Sequence, residues 1–476
     1  MEHPHWALKY KRKGTELRFI NGRYYLYEVA SRWNPEKKRA QKITGKLLGR
    51  ITEERFIPSK RYGGVKEKIH SVTAKEYGAT KFILDTFSNI NEALKAIFPS
   101  IYREIIIVAV MRMLYSSPIK NIGFRFQHSY LSVLYNDVTI TDKRVSNLLR
   151  ELGSCREKIR EFFKKYIINT NDEHILIDAT HIFSDSNGIE EAKTGYNSKK
   201  VFDPQINLLF IYSITTNLPI YYRIVAGNIR EIKAFKLTLK ESGINDAVVI
   251  TDKGFYSTNN IELLRNENIS FIIPLRRNSK LIDYNNMQKK DFQEYFKYNN
   301  RYIWYRRYNI PEGFVYCYLD EQLKTKEEYD YLNRVETLPD EYSIESFYEK
   351  QDKFGTLALL TDIDETAEDI YMKYKSRNNI EVMFDAMKNI LNCDNTYMRN
   401  TESLEGWMFI AFIILQWYYC IYNLLFKKNL LSKYSPMDLL MHLAEIKKVK
   451  INNIWYTAEI TEKTNKLLNN IELHIT

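Results

Sequence analysis

Cysteine, glycine and proline are all scarce in this sequence. Its 476 residues include four Cys, 17 Gly and 11 Pro. Few Gly and Pro argue against collagen-like or linker-rich chains and favour long regular elements. The four cysteines form no CxxC pair, which argues against a cysteine-based zinc module and is typical of a reducing compartment. The first residues lack the apolar stretch of a signal peptide, so we expect a cytoplasmic protein.

Length and composition also bound the architecture. At about 150 residues per domain, the length predicts two to four domains. Hydrophobic residues make up 45% of the chain, which is enough for a sizeable core and excludes wholesale disorder.

The excess of positive charge lies in the first 70 residues. This segment has 18 Lys and Arg residues and seven Asp and Glu residues, whereas the rest of the chain has equal numbers of both signs. A concentrated basic segment favours a polyanion, most simply the phosphate backbone of nucleic acid. A solvated basic face without a partner is the alternative. Because the segment also alternates like strands, we predict that residues 1–70 form a basic N-terminal module that binds DNA.

One stretch is long enough to cross a membrane. Residues 406–426 contain no charged side chain, and about 20 apolar residues suffice for a spanning helix. Gln416, Asn423 and three tyrosines weaken that interpretation, and no second stretch has this length. Because a buried helix of a large protein has the same pattern, we predict a core helix and no membrane partner.

Hydrophobic spacing divides the rest of the chain. Apolar residues at three- and four-residue spacing predict a helical region over 71–170. Strand-like runs followed by alternating helices and strands predict a mixed sheet covered by helices over 171–275 and 357–430. Residues 276–356 are polar, tyrosine-rich and strand-like in part, so we interpret them as a β-rich insertion subdomain. We expect a C-terminal helical segment over 431–476.

Two aspartates lie in or at the end of apolar strands. Asp178 interrupts the run 175–180, and Asp252 ends the run 248–252 just before Lys253. A buried carboxylate is costly unless it is paired or binds a metal. For either aspartate alone, a capped turn or a hydrogen-bonded polar residue is the more usual explanation.

Four polar residues share one face of a predicted helix. On an ideal helix Tyr374, Arg377, Glu381 and Lys388 fall within an arc of about 60°. Such a row suits holding a nucleic-acid backbone beside a metal-bound carboxylate. An exposed stripe with i,i+4 ion pairs is the alternative. Asp385 lies near the same face, so this geometry does not single out Glu381. A break of the helix at Asn378-Asn379 is a further alternative, and it would spoil the arc.

The order of these residues resembles DDE transposases of bacterial insertion sequences, in the group defined by the Tyr-Arg-Glu-Lys signature. The pattern Y-x2-R-x3-E-x6-K matches without a gap, downstream of Asp178 and of Asp252-Lys-Gly-Phe. Lys253 departs from the arginine common in this group, which keeps the charge but loses a bidentate donor. Further similar stretches lie at residues 21–28, 195–200, 204–205 and 219–228.

The resemblance implies an α/β catalytic core with a ribonuclease H-like mixed sheet, interrupted by the β-rich insertion and preceded by the basic module and the helical region. It implies that Asp178, Asp252 and Glu381 are catalytic and hold two divalent ions, Mg²⁺ or Mn²⁺. The expected reaction is cleavage of double-stranded DNA at the terminal inverted repeats of an element, followed by joining of the 3′ ends to target DNA.

The resemblance also implies DNA contacts and an assembly. The expected DNA-binding residues are Tyr374, Arg377, Lys388, Lys253, Trp304, Arg306 and Arg307. Among them, Trp304 would stack on a base flipped out of a hairpin intermediate, with the arginines on nearby phosphates; a core position in the insertion is the alternative for this tryptophan. We expect a homodimer in the synaptic complex, in the bacterial cytoplasm and associated with the nucleoid.

Two other functions are compatible with the same carboxylates. One is a ribonuclease H-like nuclease or resolvase that joins no strands, against which the Tyr-Arg-Lys set and the insertion argue. The other is a domesticated, non-catalytic DNA-binding protein, against which the presence of all three carboxylates argues.

Overall fold

The computed structural model describes residues 3–35, 37–59, 71–168, 174–195, 202–229, 231–244, 247–284 and 291–475. The chain forms two compact units. The first comprises Met1–Thr73 with Val449–Tyr456, and the second comprises Ala74–Lys448 with Thr457–Thr476.

The first unit is built on an antiparallel sheet in the order β1–β2–β3–β4. A short helix, α1 (His5–Leu8), precedes the strands β1 (Thr15–Ile20), β2 (Arg23–Asn34), β3 (Arg39–Ile51) and β4 (Phe56–Pro58). Asn21 and Gly22 join β1 to β2 with φ of 47° and 73°, the conformation for which Asn-Gly is preferred in tight hairpins. The unit has a small core of its own, made of Ala7, Leu17, Leu26 and Ile51.

Helices dominate the second unit ahead of its main sheet. After β5 (Val72–Glu76) come α2 (Gly78–Thr86), α3 (Ser88–Ile97), α4 (Tyr102–Tyr115), α5 (Ile119–His128), α6 (Leu131–Leu134), α7 (Asp142–Ser154), α8 (Arg156–Phe162) and a π-helical turn at Phe163–Ile167. Thr141 starts α7 by accepting a hydrogen bond from the Arg144 N–H, which satisfies one of the free donors at the helix terminus.

Among the described residues, the second unit has a mixed sheet of ten strands. They are β6 (His174–Phe183), β7 (Lys193–Thr194), β8 (Pro204–Ser213), β9 (Leu218–Ala226), β10 (Val248–Thr251), β11 (Ser270–Pro274), β12 (Glu294–Tyr298), β13 (Arg301–Ile310), β14 (Gly313–Asp320) and β15 (Thr356–Thr361). The spatial order is β12–β13–β14–β15–β11–β10–β6–β8–β7, and β9 also pairs with β8. The predicted α/β architecture with a large mixed sheet and helices is confirmed.

Helices and short turns connect these strands. They are α9 (Glu231–Ser242), a 3₁₀ turn at Lys253–Phe255, α10 (Thr258–Asn266), α11 (Glu321–Thr337), α12 (Ile344–Lys350), a 3₁₀ turn at Gln351–Lys353, α13 (Ala367–Lys375), α14 (Asn378–Asp385), a π-helical turn at Ala386–Ile390 and α15 (Thr401–Lys427). β10 runs parallel to both β6 and β11, whereas the other pairs are antiparallel. The helix α10 provides the crossover that a parallel β10–β11 pair requires.

The strands of the predicted insertion, residues 276–356, extend the main sheet. β14 pairs with β15, and β15 pairs with β11. The strands β12, β13 and β14 therefore extend the sheet on the far side of β15. The insertion also contains α11 and α12. Tyr331 of α11 and Phe347 of α12 form a small separate hydrophobic cluster with Phe354.

The long apolar segment predicted as a core helix is α15. Within the described residues, α15 is the one helix long and apolar enough to cross a membrane, unless α4 and α5 are taken together as a pair bent by 93°. In α15, 72% of the apolar window is buried inside the protein, and the helix packs against α4, α7 and β9. Such burial is typical of a helix in a protein core.

Two glycines allow α7 and α15 to cross closely. A Cβ atom on Gly153 would overlap the carbonyl oxygen of Glu402, and a Cβ atom on Gly406 would overlap that of Leu149. Since glycine alone has no Cβ atom, these positions permit a direct approach of the two backbones.

The C-terminal segment, predicted as helical, contains strands as well as helices. Its elements are α16 (Pro436–Ala444), β16 (Lys447–Ile451), β17 (Ile454–Thr457) and α17 (Glu462–Asn470). Asn452 and Asn453 both have positive φ in the tight turn between the strands, a conformation that Asn tolerates better than most residues. The strand Lys447–Ile451 has no hydrophobic run, which is why its sequence did not predict it.

Candidate active site

Asp178 and Asp252 lie side by side because their strands are parallel neighbours. β6 and β10 pair with Ile177 opposite Thr251. The residues that follow these two are Asp178 and Asp252. β10 ends at Thr251, whereas β6 continues to Phe183. Both carboxylates therefore lie where the shorter strand, β10, ends. The carboxyl ends of parallel strands are the usual position for polar sites in such sheets.

Arg377 connects these aspartates to Glu381. Its Nη1 atom lies 3.2 Å from Asp178 Oδ2 and 3.8 Å from Asp252 Oδ1, and its Nη2 atom lies 2.5 Å from Glu381 Oε1. Asp385, the other carboxylate near this face, instead accepts a hydrogen bond from the Asn389 side chain. Three carboxylates from separate elements thus converge on one guanidinium, and Glu381 is the third of them.

The three carboxylates differ in their exposure to solvent. The side chain of Asp178 is 16% exposed, that of Asp252 35% and that of Glu381 49%. Burial raises the pKa of Asp178 to about 7, and the nearby Asp252 and Glu381 act in the same direction. The Ala179 N–H, 2.8 Å from Asp178 Oδ1, and Arg377 oppose this rise. The site therefore favours a cation, because positive charge stabilises all three ionised carboxylates.

The signature residues do not lie on one regular α-helix, so the arc of about 60° calculated for an ideal helix is wrong. At Arg377, between α13 and α14, the backbone N–H bonds to the carbonyl of Tyr374, three residues back instead of four. Asn378 follows directly, and Asn competes poorly for helix interiors. Lys388 then lies in the π-helical turn Ala386–Ile390, which adds a residue to the helical repeat.

Tyr374 is partly buried beside Arg377. Burial raises the pKa of its hydroxyl, and the neighbouring guanidinium only partly lowers it. The hydroxyl therefore remains protonated at neutral pH and is able to donate a hydrogen bond.

Across the part of the chain that the structure describes, no group of three His, Cys, Asp or Glu side chains is arranged to hold a metal ion. Where the three carboxylates converge, the positive charge is that of Arg377. The donor set itself fits a hard divalent cation, because carboxylate oxygens are the ligands that Mg²⁺ and Mn²⁺ prefer. The guanidinium is thus a stand-in for such a cation.

A sequence profile of the family described as "Transposase DDE domain" matches residues 169–417. This match spans more than half of the chain and includes Asp178, Asp252, Arg377 and Glu381. The chain belongs to the DDE transposase family. The resemblance seen in the sequence is confirmed at this level, and it indicates a nuclease or transposase enzyme of a family that typically depends on divalent metal ions.

A solved structure similar to this DDE transposase is the cryo-EM structure of the piggyBac transposase synaptic complex with hairpin DNA. The sequence identity is 13% and the TM-score is 0.40, and the alignment covers 77% of this chain and 78% of that chain. These values are too low for the similarity to bear on the site. No curated protein sequence matches the chain.

In this DDE transposase a groove of about 1160 Å³ opens beside the carboxylates. Asp252, Lys253, Tyr374 and Arg377 line one part of it. Lys253 follows Asp252 in the 3₁₀ turn after β10, so its position follows from that of the aspartate. The groove therefore contains three of the predicted DNA-binding residues, namely Lys253, Tyr374 and Arg377.

Two further arginines line the groove that were not predicted from the sequence as site residues. Arg276 and Arg277 line the groove directly after β11. Arg276 is exposed, whereas Arg277 pairs with Glu327 of α11 at 2.9 Å. A signal for them existed, since they follow an apolar strand just as Asp252 does.

Polar side chains of β8 hold a loop at the groove. Asn207 donates hydrogen bonds to the carbonyls of Gly227 and Ile229 at 3.3 and 3.1 Å, and the Gln205 amide donates to Asn207 at 3.0 Å. Asn207, Gly227 and Ile229 all line the groove. Gly195 lies against the Gly227 carbonyl so closely that a Cβ atom would overlap it. These contacts give a structural role to three of the family-like stretches, at residues 195–200, 204–205 and 219–228.

Trp304 lies outside this groove. It is partly buried on β13 and packs against Tyr295 of β12, with ring centroids 5.1 Å apart. On its other side, Leu319 of β14 is its strand partner. The side chain thus belongs to the aromatic surface of the insertion.

The two insertion arginines have carboxylate partners of their own. Arg306 is only 11% exposed and lies 3.4 Å from Asp283. Arg307 forms an ion pair of 2.6 Å with Asp364. Neither arginine lines the groove, and neither does Lys388. Of the seven predicted DNA contacts, Trp304, Arg306, Arg307 and Lys388 therefore do not line the groove.

Proposed function

We propose that the protein is the transposase of a bacterial insertion sequence. It binds the terminal inverted repeats, cleaves double-stranded DNA at the ends of its element and joins the 3′ ends to target DNA. The observation that carries this proposal is the convergence of Asp178, Asp252 and Glu381 on Arg377, within the segment that matches the DDE transposase family.

A ribonuclease H-like core is part of the proposal. The strand order β9–β8–β6–β10–β11 supports it, with β8 antiparallel and β10 parallel to β6. The two aspartates lie on the central pair of this series, where a substrate can reach the end of the short strand β10.

Asp178, Asp252 and Glu381 would hold two divalent ions, Mg²⁺ or Mn²⁺. When bound, these ions would activate the attacking water or 3′-hydroxyl and stabilise the leaving oxygen. Asp178 is the residue for which a cation matters most, because burial disfavours its ionised form. The exposed Glu381 is accessible from solvent.

The protein's own side chains position the DNA strand. Arg377 exchanges its carboxylate contacts for phosphate oxygens, and the Tyr374 hydroxyl beside it donates to the same phosphate. Lys253 adds a positive charge at the end of β10. In this proposal the chain belongs to the Tyr-Arg-Glu-Lys group of transposases, and its signature residues are Tyr374, Arg377, Glu381 and Lys388.

The remaining parts of the chain serve DNA binding and assembly in this proposal. The basic N-terminal module, residues 1–70, binds the element end. Trp304 stacks on a flipped base, and Arg306 and Arg307 contact phosphates after releasing their carboxylates. Two copies of the chain form the synaptic complex in the bacterial cytoplasm, at the nucleoid.

The test is an assay of DNA carrying the element's own ends, in the presence of Mg²⁺. Asp178→Asn, Asp252→Asn and Glu381→Gln should each abolish cleavage and joining but leave end binding intact, since affinity comes mainly from basic residues. Asp385→Asn is the matched control, because Asp385 lies on the same helix without contacting Arg377, and it should cleave as the wild type does.

The same assay separates the alternatives. Cleavage by the wild type without joining would indicate a nuclease or resolvase, and end binding without cleavage would indicate a domesticated DNA-binding protein. Normal cleavage by any of the three carboxylate variants would remove that residue from the active site.

A further inference from the structure

The hairpin of β2 and β3 extends beyond the sheet of the first unit as a two-stranded ribbon. β1 pairs with β2 only as far as Glu28, and β4 pairs with β3 only from Gly49. Val29 still donates its backbone N–H to the Gly14 carbonyl, so among the described residues 30–34 pair only with 39–43. Five residues of strand span about 17 Å. Since an isolated two-stranded hairpin is only marginally stable in water, this length of ribbon is not explained by folding of the unit.

The ribbon is open to solvent on both faces. Residues 30–33 and 39–46 are exposed at every position, and Trp33 is 63% exposed. Side chains on opposite faces alternate along a strand, so exposure of consecutive residues means that neither face is covered. Trp33 and Ile43 are the large apolar side chains of this stretch, and they lie on opposite faces. The ribbon thus lacks the apolar face that would pack against a protein.

The charge of the ribbon is strongly positive. Between residues 29 and 47 the sequence contains one acidic residue, Glu36, and six basic ones. The basic residues are Arg32, Lys37, Lys38, Arg39, Lys42 and Lys46. Lys42 pairs with Glu16, which also holds Arg18, but no described carboxylate pairs with Arg32 or with the three cations at the turn. Positive charge left exposed along a projecting arm complements a polyanion.

One face of the ribbon carries side chains suited to base recognition. Arg32 lies opposite Gln41, and Asn34 lies opposite Arg39. Directly opposite residues share a face, so all four side chains lie on one face, where the Asn34 amide donates a hydrogen bond to Gln41 Oε1 at 3.0 Å. Arg recognises the major-groove edge of guanine bidentately, and Gln or Asn recognises that of adenine.

We propose that the ribbon of residues 29–44 enters the major groove of DNA at the element's end. Arg32 and Gln41 contact base edges, while Lys37, Lys38 and Arg39 at the turn contact phosphates. A two-stranded ribbon fits the major groove, about 12 Å wide, and exceeds the minor groove of about 6 Å. The ligand, transposon-end DNA, rests on the proposed function, but the ribbon lies outside the segment that matches the DDE family.

Binding measurements on the full chain without metal test the ribbon. The probes are a duplex carrying the inverted repeat that flanks the reading frame and a scrambled duplex of the same composition. Arg32→Ala and Gln41→Ala should each weaken binding to the repeat about tenfold while changing binding to the scrambled duplex less than about twofold, as expected for loss of a base contact. The triple variant Lys37→Ala, Lys38→Ala, Arg39→Ala should weaken both and reduce the slope of log K against log salt by about 2–3.

Arg55→Ala is the matched control, because Arg55 is an exposed arginine of the same unit in the turn between β3 and β4. It should alter binding to the repeat less than Arg32→Ala does. Equal effects of the two variants on both duplexes would mean that the unit binds only through net charge, and would overturn base recognition by the ribbon. Unchanged binding by all ribbon variants would overturn the ribbon as a DNA-binding element.

Methylation interference identifies the groove. Methylation of guanine N7, in the major groove, should block binding of the wild type at specific guanines. Methylation of the same guanines should have no effect on binding of Arg32→Ala. Interference only from adenine N3, in the minor groove, would overturn the proposal. Because no step here requires cleavage, a protein that binds through the ribbon but cuts no DNA would refute the transposase function alone.

Discussion

Gly406 of α15 lies against the carbonyl oxygen of Leu149 in α7 with no room for a side chain between them. Gly153 makes the reciprocal approach to α15 at Glu402. The crossing fixes the helix that follows the Glu381 segment against the helical region that precedes the sheet. Packing of two backbones in direct contact is sensitive to a single methyl group, because neither helix can yield without losing contacts on both sides.

Gly406→Ala should lower the free energy of unfolding by about 1–3 kcal/mol, the usual cost of an overpacked core. Gly254→Ala is the control, since a Cβ atom there meets nothing within 4 Å, and its effect should stay within about 0.5 kcal/mol. Urea denaturation of the two variants measures the difference. Equal free energies of unfolding for the two variants would show that α7 and α15 accommodate the extra methyl group without loss of stability.

Arg377→Gln should destabilise the metal-free protein, because three converging carboxylates would lose their shared cation. The loss should lie between about 1 kcal/mol, as for exposed ion pairs, and about 4 kcal/mol, as for buried ones. Mg²⁺ or Mn²⁺ should then raise the melting temperature more in the variant than in the wild type, since Arg377 no longer competes for the carboxylates.

Calorimetric melting with and without metal provides the measurement for Arg377. Arg276→Gln serves as its control, because Arg276 lines the same groove but forms no ion pair with the carboxylates in the described structure. Identical metal-induced shifts in all three proteins would rule out competition between Arg377 and the metal.

Glu76 should make stability depend on pH. It is buried at the end of β5, where it accepts hydrogen bonds from the backbone and hydroxyl of Thr80 at 3.1 and 2.5 Å and from the Ser129 hydroxyl at 3.3 Å. Burial raises the pKa of Glu76 despite these donors. The folded state therefore binds the proton more tightly than the unfolded chain, so stability is highest below the ordinary glutamate pKa and falls as pH rises through the raised one.

Glu76→Gln should remove this dependence. Its free energy of unfolding relative to the wild type should increase from pH 5 to pH 8, as measured by denaturant titration at both values. Glu92→Gln, at an exposed glutamate of α3, should follow the wild type across the same range. A Glu76→Gln protein whose pH profile also follows the wild type would show that the Glu76 carboxyl is ionised in both states.

Trp304→Ala should leave the first nick intact and slow hairpin formation, because a flipped base would lose its aromatic partner, worth about 1–3 kcal/mol. Trp304→Phe should restore much of the rate. Tyr302→Ala is the control, since Tyr302 contacts the same Tyr295 ring from the same strand. End processing on denaturing gels gives the rates. An unfolded Trp304→Ala protein, or one that forms hairpins normally, would assign the residue to the core of the insertion.

Parts of the site were predictable because they interrupt a pattern. Asp178 and Asp252 stand out as charges in apolar runs, and those runs do form β6 and β10. Their proximity was not predictable from the runs themselves, since the register of parallel strands is set by pairing between distant segments. The contact of Glu381 with Arg377 follows from four-residue spacing, but the break at Arg377 and the π-helical turn at Lys388 leave no trace in hydrophobic periodicity.

Other features were not predictable, because hydrophobic periodicity in a sequence indicates only which side chains are buried. The ribbon of residues 29–44 has two exposed faces, so its strands show no apolar alternation to the end of the hairpin. Arg306 suggested a phosphate ligand by its place among aromatic residues, yet it is buried beside Asp283, which comes much earlier in the chain. Such pairs depend on tertiary structure and cannot be inferred from local composition.

The pairing of β15 has a consequence for any attempt to shorten the protein. This apolar strand is hydrogen-bonded to β11 on one side and to β14 on the other, and most of its residues are buried. A truncated chain without β12, β13 and β14 would expose β15 as a bare edge. Unprotected apolar edges recruit strands from other molecules, so a miniaturised enzyme made in this way should aggregate unless charged residues or a proline are introduced into β15.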